Sequence, residues 1–400
     1  MTAAAKPMFP GLDAIRFAAA TLVMLYHLCV ATWAAPESVT FSIVGGRARF
    51  PELLSYAWFG FVGVEIFFVL SGFVIACSAA RASARSFAWA RFLRLYPAVW
   101  ICATMTAIVL VLAGAENAPS VVSGWKHSVV LYPIGPWVDS VYWTLGIEMA
   151  FYACVFGLLS VGSQRLIEPF TRGLGGVSAL YWVGGDLIDP QFLRNHLWDR
   201  SLELSLAPYG AFFALGVALQ SVMTRGLSPG RLGSIVAMLS ASFVEIKYKA
   251  EFNSVRLGCA LPALLPECVF MLSIVAIVLS TQRQGAGAGG ALLRSIGLMT
   301  YPLYLLHDHV GAAVIRVGGD LRLNRYMALS IAVVLCLLAS EWIAIVAEPA
   351  LRRAVQAAGD RLLGLFMAIG ARATASMKAS SLRADAELRR RRAFSDRRNW

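Results

Sequence analysis

Charge is scarce in this sequence. Of its 400 residues only 14% are Asp, Glu, Lys or Arg, while 58% are hydrophobic and the mean hydropathy is +0.66. An ordinary soluble domain carries about 25% charged residues, so the composition excludes a soluble globular chain. Paired cysteines are lacking too. The seven cysteines (Cys29, Cys77, Cys102, Cys154, Cys259, Cys268 and Cys336) are scattered through apolar runs, with no C-x-x-C pair and no neighbouring His at ligand spacing. That argues against a zinc ribbon or a thiol redox motif and for small buried hydrophobes, and no metal is expected. No A-x-A-like cleavage site follows the first apolar run, which is therefore expected to remain as a helix. No repeat of fixed period is present. What is in excess is positive charge: 35 Lys and Arg against 23 Asp and Glu, a formal net charge of +12. Most basic residues sit at the ends of apolar segments or in the last forty residues, which fits membrane orientation better than a nucleic-acid partner.

A bilayer core of about 30 Å asks for about twenty apolar residues per helix, and that template finds about ten candidate spans. They cover residues 13–33, 55–79, 96–114, 141–161, 174–189, 203–223, 232–245, 257–280, 295–315 and 326–347, the fifth and seventh being short. The fold class is an all-α polytopic membrane protein. Assigning alternate connections to the cytoplasm gathers Lys6, Arg81, Arg85, Arg91, Arg94, Arg165, Arg172, Arg225, Arg231, Arg283 and Arg294 there, with Glu168 the main acid. The opposite loops are balanced: Arg47, Arg49, Lys126, Lys247 and Lys249 against Glu37, Glu52, Asp186, Asp189 and Glu251. The positive-inside rule then puts both termini in the cytoplasm. Residues 1–350 form the transmembrane domain. In 351–400, "LRRAVQAAGDRLLGLFMAIGARA" has the pattern of an amphipathic surface helix, and "AELRRRRAFSDRRNW" reads as a disordered basic tail drawn to anionic lipid. "QRQGAGAGG", residues 282–290, reads as a flexible loop.

Ionisable groups inside a membrane span are expensive and few, which makes each one a functional candidate. They are Asp13, Arg16 and His27 in the first span, Glu65 in the second, Glu148 in the fourth and Glu267 in the eighth. The ninth has His307, Asp308 and His309, and the tenth Glu341 and Glu348. Arg16 and His27 are eleven residues apart, which at about 100° per residue puts them within roughly 20° of one helix face and about 16 Å apart along it. One stripe thus carries a permanent cation near one surface and a titratable base deeper in. The plain alternative is that Arg16 snorkels to the headgroups and His27 bonds a neighbouring helix.

Four further stretches bear chemistry. "FGFVGVEIFFVLSGF" sets Glu65 mid-helix, with Ser71 and Gly72 offering a small-residue packing surface. "FAWARFLRLYPAVW" places Arg91 and Arg94 on one face at i, i+3, just before a helix beginning around Tyr96 and Pro97. Two guanidiniums there can hold phosphate, although positive-inside anchoring also predicts them. "VYWTLGIEMAFY" aligns Thr144 with Glu148 at i, i+4, at a depth similar to that of His27, where a carboxylate would orient an imidazole as in a catalytic triad. "MTYPLYLLHDHV" collects Tyr301, Tyr304, His307 and Asp308, and Tyr and His are also ordinary interface anchors.

Taken together and in order, these segments resemble the acyltransferase 3 family of integral membrane acyltransferases, across roughly residues 10–350. Arg16 and His27 match the R-x10-H motif of its first helix, "GVEIFFVLSGF" its second-helix signature, and Arg91 and Arg94 its R-x-x-R motif. "WTLGIEMAFY" is similar to its S-x-x-x-E segment and "TYPLYLLH" to its SYxxYLxH, each with Thr in place of Ser, and "AEPALRR" resembles the Glu-Pro that closes the last span. The resemblance implies a ten-helix core in the cytoplasmic (inner) membrane and a cytoplasmic acyl-CoA donor, with acetyl-CoA the default co-substrate and no bound cofactor. It also implies a hydroxyl acceptor on an extracytoplasmic glycan or lipid-linked glycan, such as O-antigen or exopolysaccharide. The form is the stand-alone one, without the SGNH esterase-like domain of larger relatives, and a homo-oligomer is compatible with it.

On that reading Arg91 and Arg94 bind phosphates of CoA, and Arg16 contacts the pantetheine or phosphate portion or shapes its passage. His27 is the general base for the acceptor hydroxyl or first receives the acyl group, and Glu148 orients it. Glu65, Ser71, Thr144, Tyr304 and His307 support them. A Tyr or hydroxyl of the fourth or ninth helix serves the oxyanion. The rivals are a multi-pass transporter of a glycan lipid or small molecule, since intramembrane charges also build proton relays, and a scaffold in a glycan-assembly complex. Against the transporter, the sequence has no duplicated half with matched interrupted helices.

Overall fold

The computed structural model describes residues 10–80, 82–282 and 290–361. Lys6, Arg81, Arg283, nearly all of the glycine-rich stretch at 282–290, the later part of the amphipathic segment and the basic tail lie outside these. Among the described residues there is no strand, and helix follows helix from Pro10 on. Among the described residues, six helices are long and apolar enough to cross a membrane. They are α1 (Pro10–Ala34), α3 (Pro51–Ala79), α4 (Ala84–Leu112), α6 (Ser140–Ser160), α10 (Leu264–Gln282) and the helix that starts as α13 (Arg325–Trp342). Between them lie α2 (Val39–Val44), α5 (Ala118–Val129), α7 (Ile167–Ala179), α8 (Gly210–Arg225), α9 (Pro229–Leu257), α11 (Gly290–Leu306) and α12 (His309–Asp320). Residues 349–361 are helical and form part of a separate unit.

Local chemistry explains many helix starts. Ser83, Asn117, Ser228 and Asn324 each place a side-chain oxygen on a backbone N–H of the first turn, and Pro119 and Pro229 occupy the first helical positions, where a missing donor costs nothing. α3 and α8 pack backbone to backbone. A Cβ on Gly72 would collide with the carbonyl of Phe213, and one on Gly216 with the carbonyl of Val69. Glycine is what allows that approach, as small residues do in membrane bundles.

Several boundaries differ from the sequence reading. α4 begins at Ala84, so Arg91 and Arg94 lie within the helix rather than ahead of it; Pro97, buried, is accommodated in its interior. α9 runs for 29 residues, so Lys247 and Lys249 are helical, not loop residues. α7 continues through a π turn at Leu180–Gly184 to Ile188, longer than the short span expected. α5, which includes Lys126, was not expected, and it packs back along α4: Trp125 Nε1 donates to Thr104 Oγ1 at 3.1 Å and Trp100 Nε1 to the carbonyl of Val129 at 2.9 Å. Finally, the ninth span is interrupted at His307 and Asp308 between α11 and α12.

Candidate active site

The first-span stripe is helical from Pro10 to Tyr26, and His27 opens a π turn that runs to Ala31. π turns inside helices are rare and concentrate at functional sites, because the extra residue re-aims the side chains around it. His27 is turned toward the interruption of the ninth span, where its Nδ1 lies 2.9 Å from Asp308 Oδ1. Asp308 is fully buried and richly supplied with donors: Thr40 gives a hydrogen bond to Oδ1 at 2.6 Å and Ser140 one to Oδ2 at 2.5 Å. Four parts of the chain, α1, α2, the start of α6 and the α11–α12 junction, thus converge on one carboxylate. A carboxylate so held fixes the orientation of the imidazole.

Glu148, expected at this imidazole, is elsewhere. It accepts from Ser71 Oγ at 2.8 Å and from the hydroxyl of Tyr152, which is a short contact. The acid at His27 is Asp308, and the i, i+4 alignment of Thr144 with Glu148 does not bring both to one partner. Thr144 instead meets the Tyr304 hydroxyl at 2.8 Å and donates to the carbonyl of Val141 at 3.0 Å.

Arg16, Arg91, Arg94, Ser71, Glu148 and Tyr304 line one cavity of about 130 Å³. Three guanidiniums face a single carboxylate among its walls, so the cavity is positive. Arg16 is tied to Asp13 at 2.7 Å; Arg91 lies 5.7 Å from the centre of the Tyr152 ring, and Arg94 5.1 Å from that of Tyr301. Aromatic faces hold guanidiniums without neutralising them, which leaves their N–H forks available to an anion. Arg91 Nε is buried without a hydrogen-bond partner.

Tyr304 and His307 connect the cavity to His27. The Tyr304 ring is 5.8 Å from that of His307, which stands edge-on to the ring of His27 at 5.2 Å. His307 Nδ1 donates to the carbonyl of Leu303 at 3.1 Å, which leaves Nε2 as a buried lone pair without a partner.

Glu65 takes no part in the cavity wall. It is completely buried and contacts the Lys249 ammonium, which also lies 2.6 Å from Glu245 and 4.9 Å from the centre of the Tyr209 ring. The sequence reading missed this cluster because Lys249 was assigned to a loop. The Glu245 to Lys249 spacing of i, i+4 is the signal that the helix continues. Asp139, Ser140 and Thr40 were missed as well; no motif marks them, because their roles come from tertiary contact. His309 and Asp308 stood among the intramembrane charges without a role.

Fold and site together define a polytopic helical membrane protein whose histidine–aspartate centre is joined to a cationic cavity. The acyltransferase 3 family model, described as an acyltransferase domain, matches residues 9–346. The chain is 26% identical over 391 residues to "Acyltransferase MdmB" of Streptomyces mycarofaciens, covering 89% of this chain and 92% of that one. It is 24% identical over 230 residues to "Nodulation protein 10" of Rhizobium leguminosarum bv. viciae, covering 49% and 61% respectively. No solved structure matches it. The protein belongs to the acyltransferase 3 family of membrane acyltransferases.

Proposed function

We propose that the protein transfers an acyl group, acetyl by default, from cytoplasmic acyl-CoA to a hydroxyl of an extracytoplasmic glycan or lipid-linked glycan. It would do so from the inner membrane, with ten spans and both termini in the cytoplasm. The observation that carries this reading is the contact path from an arginine-lined cavity through Tyr304 and His307 to a His27 held by Asp308.

CoA carries its negative charge on phosphates, and guanidiniums bind phosphate oxygens in bidentate fashion. Drug-sized pockets occupy about 300–1,000 Å³. A cavity of about 130 Å³ is well below that, so it suits the narrow acyl-thioester end. The nucleotide stays at the mouth, where Arg91, Arg94 and Arg16 hold its phosphates or guide its arm. With Nδ1 turned to Asp308, His27 presents Nε2 as the base. In direct transfer, Nε2 takes the acceptor O–H proton as the oxygen attacks the thioester carbonyl. The C–S bond breaks, and the proton ends on the CoA thiolate. In the two-step form His27 first carries the acyl group. The Tyr304 hydroxyl, beside Thr144, is the donor for the developing oxyanion. Glu148 holds Ser71 and Tyr152 in the cavity wall.

The test is CoA release from acetyl-CoA by the purified protein in liposomes with a membrane extract as acceptor source. Wild type should release CoA, while His27→Ala and the Arg91→Ala, Arg94→Ala pair should not, although both insert normally. Release by none of them, with acetyl-CoA or longer acyl-CoAs, would favour the transporter.

A further inference from the structure

The paired phenylalanines of "GVEIFFVLSGF", Phe67 and Phe68, have no task in the chemistry above, yet both line the arginine cavity. Its lining is ordered from end to end. α3 contributes a stripe from Val64 to Val74, about 15 Å long, and α6 contributes one from Thr144 to Tyr152. Two sets of contacts fix their register: Ser71 meets Glu148 and Tyr152 at 2.8 and 3.4 Å, and the Phe67 ring stands edge-on to that of Tyr304 at 5.5 Å. Arg91 beside Tyr152 and Arg94 beside Tyr301 therefore mark one end. Val64, Phe67, Phe68 and Leu145 make the other end apolar, next to the Tyr304–Thr144 hydroxyl pair.

That apolar end has little room to expand. The Phe68 ring lies 5.2 Å from the centre of the Tyr209 ring and 4.8 Å from that of Phe213, which itself stacks on Phe151 at 4.4 Å. All four rings are buried, and such packed aromatic clusters yield only at a cost. One turn further along α3, Gly72 brings its backbone against that of Phe213, so the wall cannot retreat toward α8. Size then decides what enters. A dry apolar cavity of about 150 Å³ holds one benzene molecule. The whole cavity here is about 130 Å³, and a bound thioester takes part of that. An acetyl group fits in the remainder; a hexanoyl chain, with as many carbons as benzene, does not.

Resting on the acyl-transfer reading of this cavity, we propose that Phe67 and Phe68 are its chain-length stop, so that the protein accepts very short acyl groups and rejects hexanoyl and longer ones. With the phosphates of CoA at the arginine end and the thioester carbonyl at Tyr304, the acyl chain points at these two rings. They are specificity-determining residues and take no part in the proton transfers.

The test compares acetyl-, butyryl-, hexanoyl- and octanoyl-CoA as donors for the purified full-length protein in liposomes, reading kcat/KM for CoA release. Binding of the same series, read from the unfolding midpoint in detergent, gives the ranking without turnover. Wild type should favour acetyl-CoA over hexanoyl-CoA by about ten- to a hundredfold. Phe67→Ala should raise the hexanoyl-to-acetyl ratio by at least about tenfold, and Phe68→Leu should raise it less. Phe270→Leu, which trims a buried ring packed on Phe212 away from the cavity, should leave the ratio at its wild-type value. Where Phe67→Ala fails to fold, Phe67→Leu decides, a raised ratio supporting the proposal and an unmoved one refuting it. Equal use of acetyl- and hexanoyl-CoA by wild type, or the same change in ratio in Phe270→Leu as in Phe67→Ala, would overturn the stop and leave acyl transfer standing. Neither binding nor cleavage of any acyl-CoA would remove both.

Discussion

His27 and Asp308 lie far apart in the chain, yet each is set by a local departure from regular helix, a π turn at one and an interruption at the other. An asparagine at 308 keeps the shape and removes the charge. Asp308→Asn should therefore reduce kcat about 10²- to 10⁴-fold, the range expected for a disabled general base, with little change in KM for acyl-CoA. The arginines should show the reverse pattern. Each charge-assisted phosphate contact contributes roughly 1.5–3 kcal/mol, so Arg91→Ala or Arg94→Ala should raise KM for acyl-CoA by about ten- to a hundredfold. Steady-state kinetics across a range of acyl-CoA concentrations separates the two. A kcat loss in the arginine variants with unchanged KM would count against a donor site there. At this scale the sequence marked the expensive residues well, because an ionisable group in an apolar run stands out. It did not mark their partners. The acid for His27 was sought at Glu148 because the two share a depth, and only tertiary contact distinguishes Glu148 from Asp308.

Among the helices, the backbone contact of α3 with α8 is held by glycine. Gly72→Leu or Gly216→Leu forces α3 and α8 apart and should destabilise by about 1–3 kcal/mol, seen as a lower unfolding midpoint in detergent. Gly157 in α6 has nothing within 4 Å of its missing Cβ. Gly157→Ala should therefore be neutral or stabilise by up to about 1 kcal/mol. Equal effects at the two kinds of site would show that the bundle does not depend on that close contact. Helices with continuous apolar runs were legible in the sequence at nearly their observed bounds, as in α3 and α6. α9 was not, since Glu245, Lys247, Lys249 and Glu251 in its second half look like a loop in a hydropathy window. Lys249 is paired with the buried Glu65, Lys247 bonds the partly exposed Asp186 at 3.1 Å and Glu251 meets Arg194, so tertiary pairing carries the charges that a hydropathy window counts against the helix. The interruption at His307 and Asp308 was likewise hidden, because nothing in "LYLLHDHV" breaks a helix by itself.

For the molecule as a whole, the distribution of basic residues sets the expected orientation. A reporter enzyme active only outside the cytoplasm should be silent when fused at either terminus and active when inserted at Glu116, in the turn between α4 and α5. Activity at a terminus would reverse the membrane orientation and with it the side from which the donor enters. On the proposed orientation the arginine-lined cavity would face the cytoplasm and the α2 and α5 segments the other side, so that donor and acceptor would approach His27 from opposite directions. The most direct test compares Asp308→Asn with Glu148→Gln for CoA release from acetyl-CoA, using protein matched for insertion and thermal stability. The account predicts that Asp308→Asn falls to the level of His27→Ala, while Glu148→Gln, which alters only the cavity wall, keeps a measurable fraction of wild-type turnover. Full loss in Glu148→Gln with activity retained in Asp308→Asn would contradict it.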